Sequence, residues 1–191
     1  VNNKYVSIFS AKANIFNTFF SQQCTNVNTS SVVPNTLNLI SDKRISQLEF
    51  SIGEIITIIR NLNPNKAHGH DGFSIQMIQL SCDSIAKPLH LIFKNCIETS
   101  TFPAEWKKGN IIPIHKKGSK QEITNYRPIS LLPIFSKIFE RIIFNALYNY
   151  IHQNKYLNPN QSGFRRGDSC IHQLISITHD IHRSFDENPS K

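Results

Sequence analysis

The chain has 191 residues, is 39% hydrophobic and carries a formal net charge of +8, so it has apolar surface enough for one ordinary domain or a piece of a larger one, and a disordered tail is excluded. Its uninterrupted apolar runs are far too short to cross a bilayer, and the opening VNNKYVSIFS lacks the basic-then-apolar order of a secretory signal, which predicts a soluble intracellular chain. The positive charge points to a polyanionic partner, nucleic acid before membrane, because no basic amphipathic helix with an aromatic face is visible.

The chain opens on Val1 rather than Met and closes on DENPSK, which reads as a segment cut from a longer polypeptide. In the first stretch, Ile8, Ala11, Ile15 and Phe19 share one helical stripe, predicting a helix that docks outside the polar stretch that follows. No Asp, Glu, Lys or Arg occurs from Ala13 to Ser41, and residues 25 to 43, rich in Asn, Ser and Thr around Pro34, read as a connector.

Ser51 and Glu54 then form a capping-box spelling that opens a helix with Ile52, Ile55, Ile56, Ile59 and Leu62 on one face, ending at Asn63-Pro64. The loop NPNKAHGHDGF follows, then a short helix from about Ser74 and a longer one through IAKPLHLIFKNCIET. Asp83 is a candidate start for the longer helix, with Pro88 arguing against so early a start. Residues 109 to 131 read as two strands and a loop, with Ile111, Ile112 and Ile114 anchoring one arm and Ile129, Leu131 and Leu132 the other. From Phe135 to Ile151 apolar residues recur at i, i+3, i+4 and i+7, predicting a helix packed along one side under this hairpin. A last helix is expected from Asp168 or Ser169 to about Phe185, with Ile171, Leu174, Ile175, Thr178, Ile181 and Phe185 inward. The fold class is therefore α+β, mostly helical, with one small antiparallel hairpin.

Cys24, Cys82, Cys96 and Cys170 form no C-x-x-C pair, so they read as reduced thiols, most of them packed, with no disulfide framework or zinc knuckle. Lys107, Lys108, Lys116, Lys117, Lys120 and Arg127 face a single acid, Glu122, over the hairpin segment. A cationic tip held between two strands suits phosphate, because several ammonium and guanidinium groups can converge on one triphosphate or on successive phosphates of a strand. A solvated loop that serves solubility carries the same spelling, and the residues alone leave both readings open.

Four ordered stretches, NPNKAHGHDGFSIQMI, FPAEWKKGNIIPIHKKG, NYRPISLLPIFSKIFERIIFNAL and LNPNQSGFRRGDSC, resemble the N-terminal, fingers-side part of reverse transcriptases from non-LTR (LINE-type) retrotransposons. The resemblance covers about residues 50 to 191 and is more specific than any one of its motifs. It implies a right-hand polymerase in which residues 1 to 44 are an N-terminal helix and connector, and residues 45 to 191 the fingers and the start of the palm. It also implies nucleotide contacts from Lys116, Arg127 and Arg165, and nucleic-acid contacts from Lys107, Lys108, Lys117, Lys120 and Arg166. A solvated loop before a helix accounts equally well for Arg165 and Arg166. The intact parent would use Mg²⁺ with RNA template, DNA primer and deoxynucleotides, and would act in the nucleus; this segment is expected to bind no cofactor.

His68, His70 and Asp71 spell possible metal ligands, but no further pair supplies the spacing zinc requires, and a structural loop with turns at Gly69 and Gly72 and an Asp71 that accepts backbone hydrogen bonds is the expectation. His172, His179 and His182 read as a polar or half-buried helix edge. Asp180 and Asp186 imitate the D-x-x-x-x-F-D spelling of the family's first catalytic motif. The preceding CIHQLISIT is helical in period, whereas a metal-binding aspartate should end an apolar strand, so both are expected on a helix surface. No Tyr-x-Asp-Asp occurs, and no catalytic residue is assigned. The alternative to a polymerase segment is a non-catalytic basic nucleic-acid-binding module or a decayed remnant of one. A maturase-like intron-encoded enzyme would share the motifs, but NYRPISLLPIFSKIFERII and QSGFRRGDSC look more like the retrotransposon branch.

Overall fold

A computed structural model describes residues 8–23 and 48–187. The expected connector, Cys24 and Asp42 lie outside the described residues. The fold is α+β and mostly helical: α1 (Phe9–Gln23), α2 (Ile52–Arg60), α3 (Ile75–Leu80), α4 (Cys82–Glu98), β1 (Asn110–His115), β2 (Tyr126–Leu131), α5 (Ile134–Gln153) and α6 (Cys170–Glu187). Short 3-10 turns at Ala104–Lys107 and Ile123–Asn125 precede the two strands. The chain divides into two compact units, Val1–Phe144 and Asn145–Lys191, each described on its own below.

In the first unit, local chemistry sets the helix ends. Ser51 sits in extended backbone and its Oγ accepts from Glu54 N, which satisfies one orphan donor of α2; Ser74 does the same for Met77 N at the start of α3. At the other end of α2, Gln79 on α3 donates through Nε2 to the carbonyls of Ile59, Arg60 and Leu62 at 3.1, 3.3 and 2.9 Å. One amide from a neighbouring helix thereby reaches three carbonyls at the end of α2, of which Ile59 O also accepts from Leu62 N.

The core is built by α2, α3, α4 and the first half of α5: Ile55, Ile59, Ile75, Ile78, Ala86, Leu89, Phe93, Ile134, Ile138, Phe139 and Ile142 are all buried together. Phe93 and Phe139 stack at 4.9 Å, and Trp106 meets Phe93 edge-on at 5.7 Å. Cys82 and Cys96 are buried here, and burial pushes both thiols up, away from reactivity; Cys170 is exposed. Pro88 lies inside α4, which starts earlier than the proline suggests. A proline costs an interior helix about 3 kcal/mol, and the buried Ala86, Leu89 and Phe93 on either side of it offset that cost.

Two packing expectations are corrected. The hairpin contributes no side chain to this core, and Ile111, Ile112, Ile114 and Ile129 are all two-fifths exposed or more. They do not anchor its arms, and the buried neighbours of α5 are α2 to α4 rather than the hairpin. On α1 the buried residue is Phe20, with Phe16 half-buried beside it, so the docked edge lies next to the expected Ile15 and Phe19 stripe, and Ile8 and Ile15 are exposed. Phe16 meets Tyr126 of β2 edge-on at 4.9 Å, so α1 docks on the hairpin.

In the second unit, Ser169 caps α6 by accepting from His172 N. Ile171, Leu174, Ile175, Ile181 and Phe185 are exposed, not inward as the helical period suggests. A 3.6-residue stripe records that a face is apolar; it does not say that a partner covers it.

Candidate nucleic-acid interface

β1 and β2 pair antiparallel in the register Asn110↔Leu131 through His115↔Tyr126, with Ile114 opposite Arg127. Side chains alternate across a strand, so one face carries Ile112, Ile114, Arg127 and Ile129 and the other Ile111, Pro113, His115 and Tyr126. The second face meets α1 through Tyr126. The first face is an exposed apolar strip with Arg127 at its tip end.

Beyond His115 the chain makes a loop whose shape comes from its own polar groups. Lys116 N donates to Asn125 O at 2.8 Å, closing the loop at its base. Asn125 Nδ2 donates to Ser119 O at 3.0 Å, and Tyr126 Oη donates to Lys120 O at 2.9 Å. His115 Nε2 lies 3.1 Å from Gly118 O. Gly118 has φ +81°, which calls for glycine, and a Cβ there would stand 2.7 Å from Asn125 Nδ2 and push aside the carboxamide that holds Ser119 O. Local hydrogen bonds thus do what the sequence assigned to apolar anchors. Asn125, Tyr126 and His115 are positioning residues that residue counting missed, although Asn and Gly in a short inter-strand segment are recognised turn chemistry.

On this loop Lys116, Lys117 and Lys120 are exposed, as is Arg127 on β2. Among the described residues none of the four pairs with a carboxylate. Lys107 is exposed at the end of the preceding 3-10 turn, whereas Lys108 is engaged by Glu105. Glu105 also meets His70 at 3.5 Å, and hydrogen bonds from Lys108 first and His70 second hold its carboxyl below the usual range.

The segment KAHGHDG packs at the base of the hairpin, at the end of β2 away from the tip. Gly69 is buried against the junction of β2 and α5, and a Cβ on it would stand 2.6 Å from Pro133 N. Gly72 turns the chain at φ +74°. Asp71 departs from expectation, because its Oδ1 is buried and has no hydrogen-bond partner. His68 Nδ1 lies 2.8 Å from Gly69 O.

In the second unit both arginines of GFRRG have partners. Arg165 Nη1 donates to the carbonyls of Asn158, Pro159 and Gln161 at 3.3 to 3.5 Å, gathering the loop before α6. Arg166 donates from Nη2 to Asn145 Oδ1 at 2.9 Å, and its guanidinium stands 4.6 Å from the Tyr148 ring. Asp168 lies beside the Ser162 hydroxyl, accepts from Ser169 N at 2.8 Å and pairs with His172 at 3.4 Å, surroundings that hold its carboxyl below the usual range. His172, His179 and His182 are exposed on α6, as are Asp180 and Asp186. Six residues apart on a helix, the two carboxylates diverge by about 120° and lie about 9 Å apart along the axis. Among the described residues no three His, Cys, Asp or Glu side chains gather as metal ligands. The described residues therefore do not fit a pair of Mg²⁺ ions. Nor is any helix among them long and apolar enough to cross a membrane.

No family model matches the chain. It is 37% identical over 128 residues to the RNA-directed DNA polymerase from mobile element jockey of Drosophila melanogaster, a match over 66% of this chain and 14% of the relative. It is 34% identical over 137 residues to the "Probable RNA-directed DNA polymerase from transposon BS" of the same organism, over 71% of this chain. A protein of the Drosophila melanogaster retrotransposable element R1DM matches at 31% over 120 residues. The chain spans about 15% of the length of the first of these relatives it matches. It is thus related, distantly and over part of its length, to RNA-directed DNA polymerases of non-LTR retrotransposons.

Proposed function

We propose that the chain is the fingers-side part of a retrotransposon RNA-directed DNA polymerase, comprising the fingers and the beginning of the palm, and that its hairpin tip grips phosphate. The observation that carries this reading is the tip itself. Lys116, Lys117, Lys120 and Arg127 stand exposed without carboxylate partners on a loop closed by Asn125 and Tyr126. A loop shaped for solubility alone has no need of a backbone fixed by so many hydrogen bonds, whereas converging on phosphate requires the cations to be positioned in advance. Lys116 and Arg127 take the triphosphate and, in its absence, join Lys107, Lys117 and Lys120 on the strand. Arg127 follows the exposed strip of Ile112, Ile114 and Ile129, so an apolar surface adjoins the fork that would hold two phosphate oxygens.

Arg165 and Arg166 have a second task in this reading. The contacts of Arg165 engage its Nη1, so its remaining N–H groups can turn to nucleotide or template, whereas Arg166 exchanges its contacts with Asn145 and Tyr148 to do so. Lys108 is paired with Glu105, so a phosphate that reaches it meets a neighbouring carboxylate.

The relatives are several times longer than this chain, so RNA template, DNA primer, deoxynucleotides and Mg²⁺ belong in this proposal to the larger polymerase, acting in the nucleus. The chain as given grips and does not catalyse: Asp180 and Asp186 point apart on α6, and lysines alone cannot replace metal ions at the reacting oxygens. The test is anisotropy of labelled RNA–DNA hybrid and single-stranded RNA across a salt series. Affinity that falls linearly on logarithmic axes supports the reading, and absence of binding at low salt overturns it.

A further inference from the structure

We propose that the groove between α1 and β1 is a second binding site, one that takes single-stranded RNA by stacking an unpaired base on Phe9. The groove has a volume of about 610 Å³, and its lining includes Phe9, Lys12, Phe16, Asn17, Asn110 and Ile111. None of the hairpin's lysines or Arg127 lines it, so it is distinct from the tip described above.

Phe9 is 88% exposed at the mouth of the groove, with Lys12 Nζ 5.8 Å from its ring centroid. An aromatic face next to one ammonium group is the pairing that holds a base and its phosphate together, since every base has a π-face and every nucleotide an anion. Behind Phe9 the aromatic character continues. Phe16 stacks on Phe20 at 5.7 Å and meets Tyr126 at 4.9 Å, and Tyr126 meets His115 at 5.3 Å. Phe16 and Phe20 line the groove, so these contacts hold its wall against the hairpin.

Charge selects the occupant. No Asp or Glu lines the groove, and α1 carries none, so a polyanion meets no repulsion there. An apolar peptide helix would bury Lys12 and the exposed carboxamides of Asn14, Asn17 and Asn110 against hydrocarbon, which is costly without partners. Those carboxamides both donate and accept, matching the 2′-hydroxyl that separates RNA from DNA.

The experiment uses the whole chain with labelled oligouridine RNA, the same strand with abasic positions, and the DNA strand of matching sequence. Phe9→Ala should weaken RNA binding about tenfold at every salt concentration, without changing the salt slope, because stacking releases no counterions. Phe9→Trp should restore affinity, and the abasic strand should bind wild type and Phe9→Ala equally. Because Phe9 is almost fully exposed, circular dichroism should be the same for all three proteins. Equal affinity of wild type and Phe9→Ala for RNA overturns the proposal, as does an equal loss on the abasic strand or DNA binding as tight as RNA. Lys116→Ala with Lys117→Ala, measured in parallel, reports on the tip by its slope alone, so failure of the groove and failure of the tip are read separately.

Discussion

Gly69 and Pro133 lie in backbone contact, so that a methyl group on Gly69 would stand 2.6 Å from the nitrogen of Pro133 and 2.7 Å from the carbonyl carbon of Leu132. Both neighbours are main chain and cannot swing aside. Gly69→Ala is therefore expected to destabilise the first unit by about 1–3 kcal/mol, read by urea titration of the fluorescence of Trp106, the single tryptophan. Gly163→Ala is the control, since nothing lies within 4 Å of the added carbon. Equal midpoints for the two variants would contradict the close approach.

The stacked pair Phe93 and Phe139 sits at the centre of the helical core. Phe139→Ala should cost about 3–5 kcal/mol, and Phe139→Asp or Ile142→Asp should leave the region unfolded, because an unpaired buried carboxylate has no compensation. Thermal melts check both. An Ile142→Asp protein that melts like wild type would contradict the core assignment.

The hairpin tip should lose order when its polar closure is removed. Tyr126→Phe deletes the hydrogen bond to Lys120 O and Asn125→Ala the one to Ser119 O, each worth about 1 kcal/mol. Hydrogen exchange at the amides of residues 116 to 125 should accelerate in both variants, the protected Lys116 N–H included, while exchange in α4 is unchanged. Wild-type exchange across the tip in both variants would return the loop to a solvated one.

Acid should release the clasp between the loop before α3 and the turn before β1. Hydrogen bonds from Lys108 and His70 depress the Glu105 carboxyl. A depressed carboxylate stabilises the fold fully above its unfolded value, and that contribution is lost as pH falls through the lower folded value. Glu105→Gln should therefore be less stable than wild type near neutrality, and the gap should close below about pH 4. A gap independent of pH would contradict the clasp.

Local signals made much of the helical frame legible from sequence. Ser51 and Ser74 cap where their spelling says, Ile55 and Ile59 bury where the period says, and Phe139 and Ile142 do likewise. What stayed hidden depends on chain segments far apart. The branched residues of 111 to 114 spell a strand, yet nothing in them tells a covered face from an open one, and they are exposed. The apolar stripe of α6 has the same ambiguity. Gln79 reaching three carbonyls of the α2 end, Arg165 gathering the carbonyls of its loop and Arg166 resting on Tyr148 are contacts that spacing does not encode. For the candidate site the cations were legible from charge alone. Their support was not, because Asn125 and Tyr126 do their work through backbone carbonyls, and any sequence has those.

The central claim is that the cations of the tip engage phosphate, and the salt dependence of binding tests it most directly. Each phosphate contact on a single strand contributes about −0.7 to the slope of log affinity against log salt. Lys116→Ala with Lys117→Ala should therefore flatten that slope by about 1.4 on single-stranded RNA, with circular dichroism unchanged because both side chains are exposed. A slope identical to that of wild type would contradict the account and move the interface away from the hairpin.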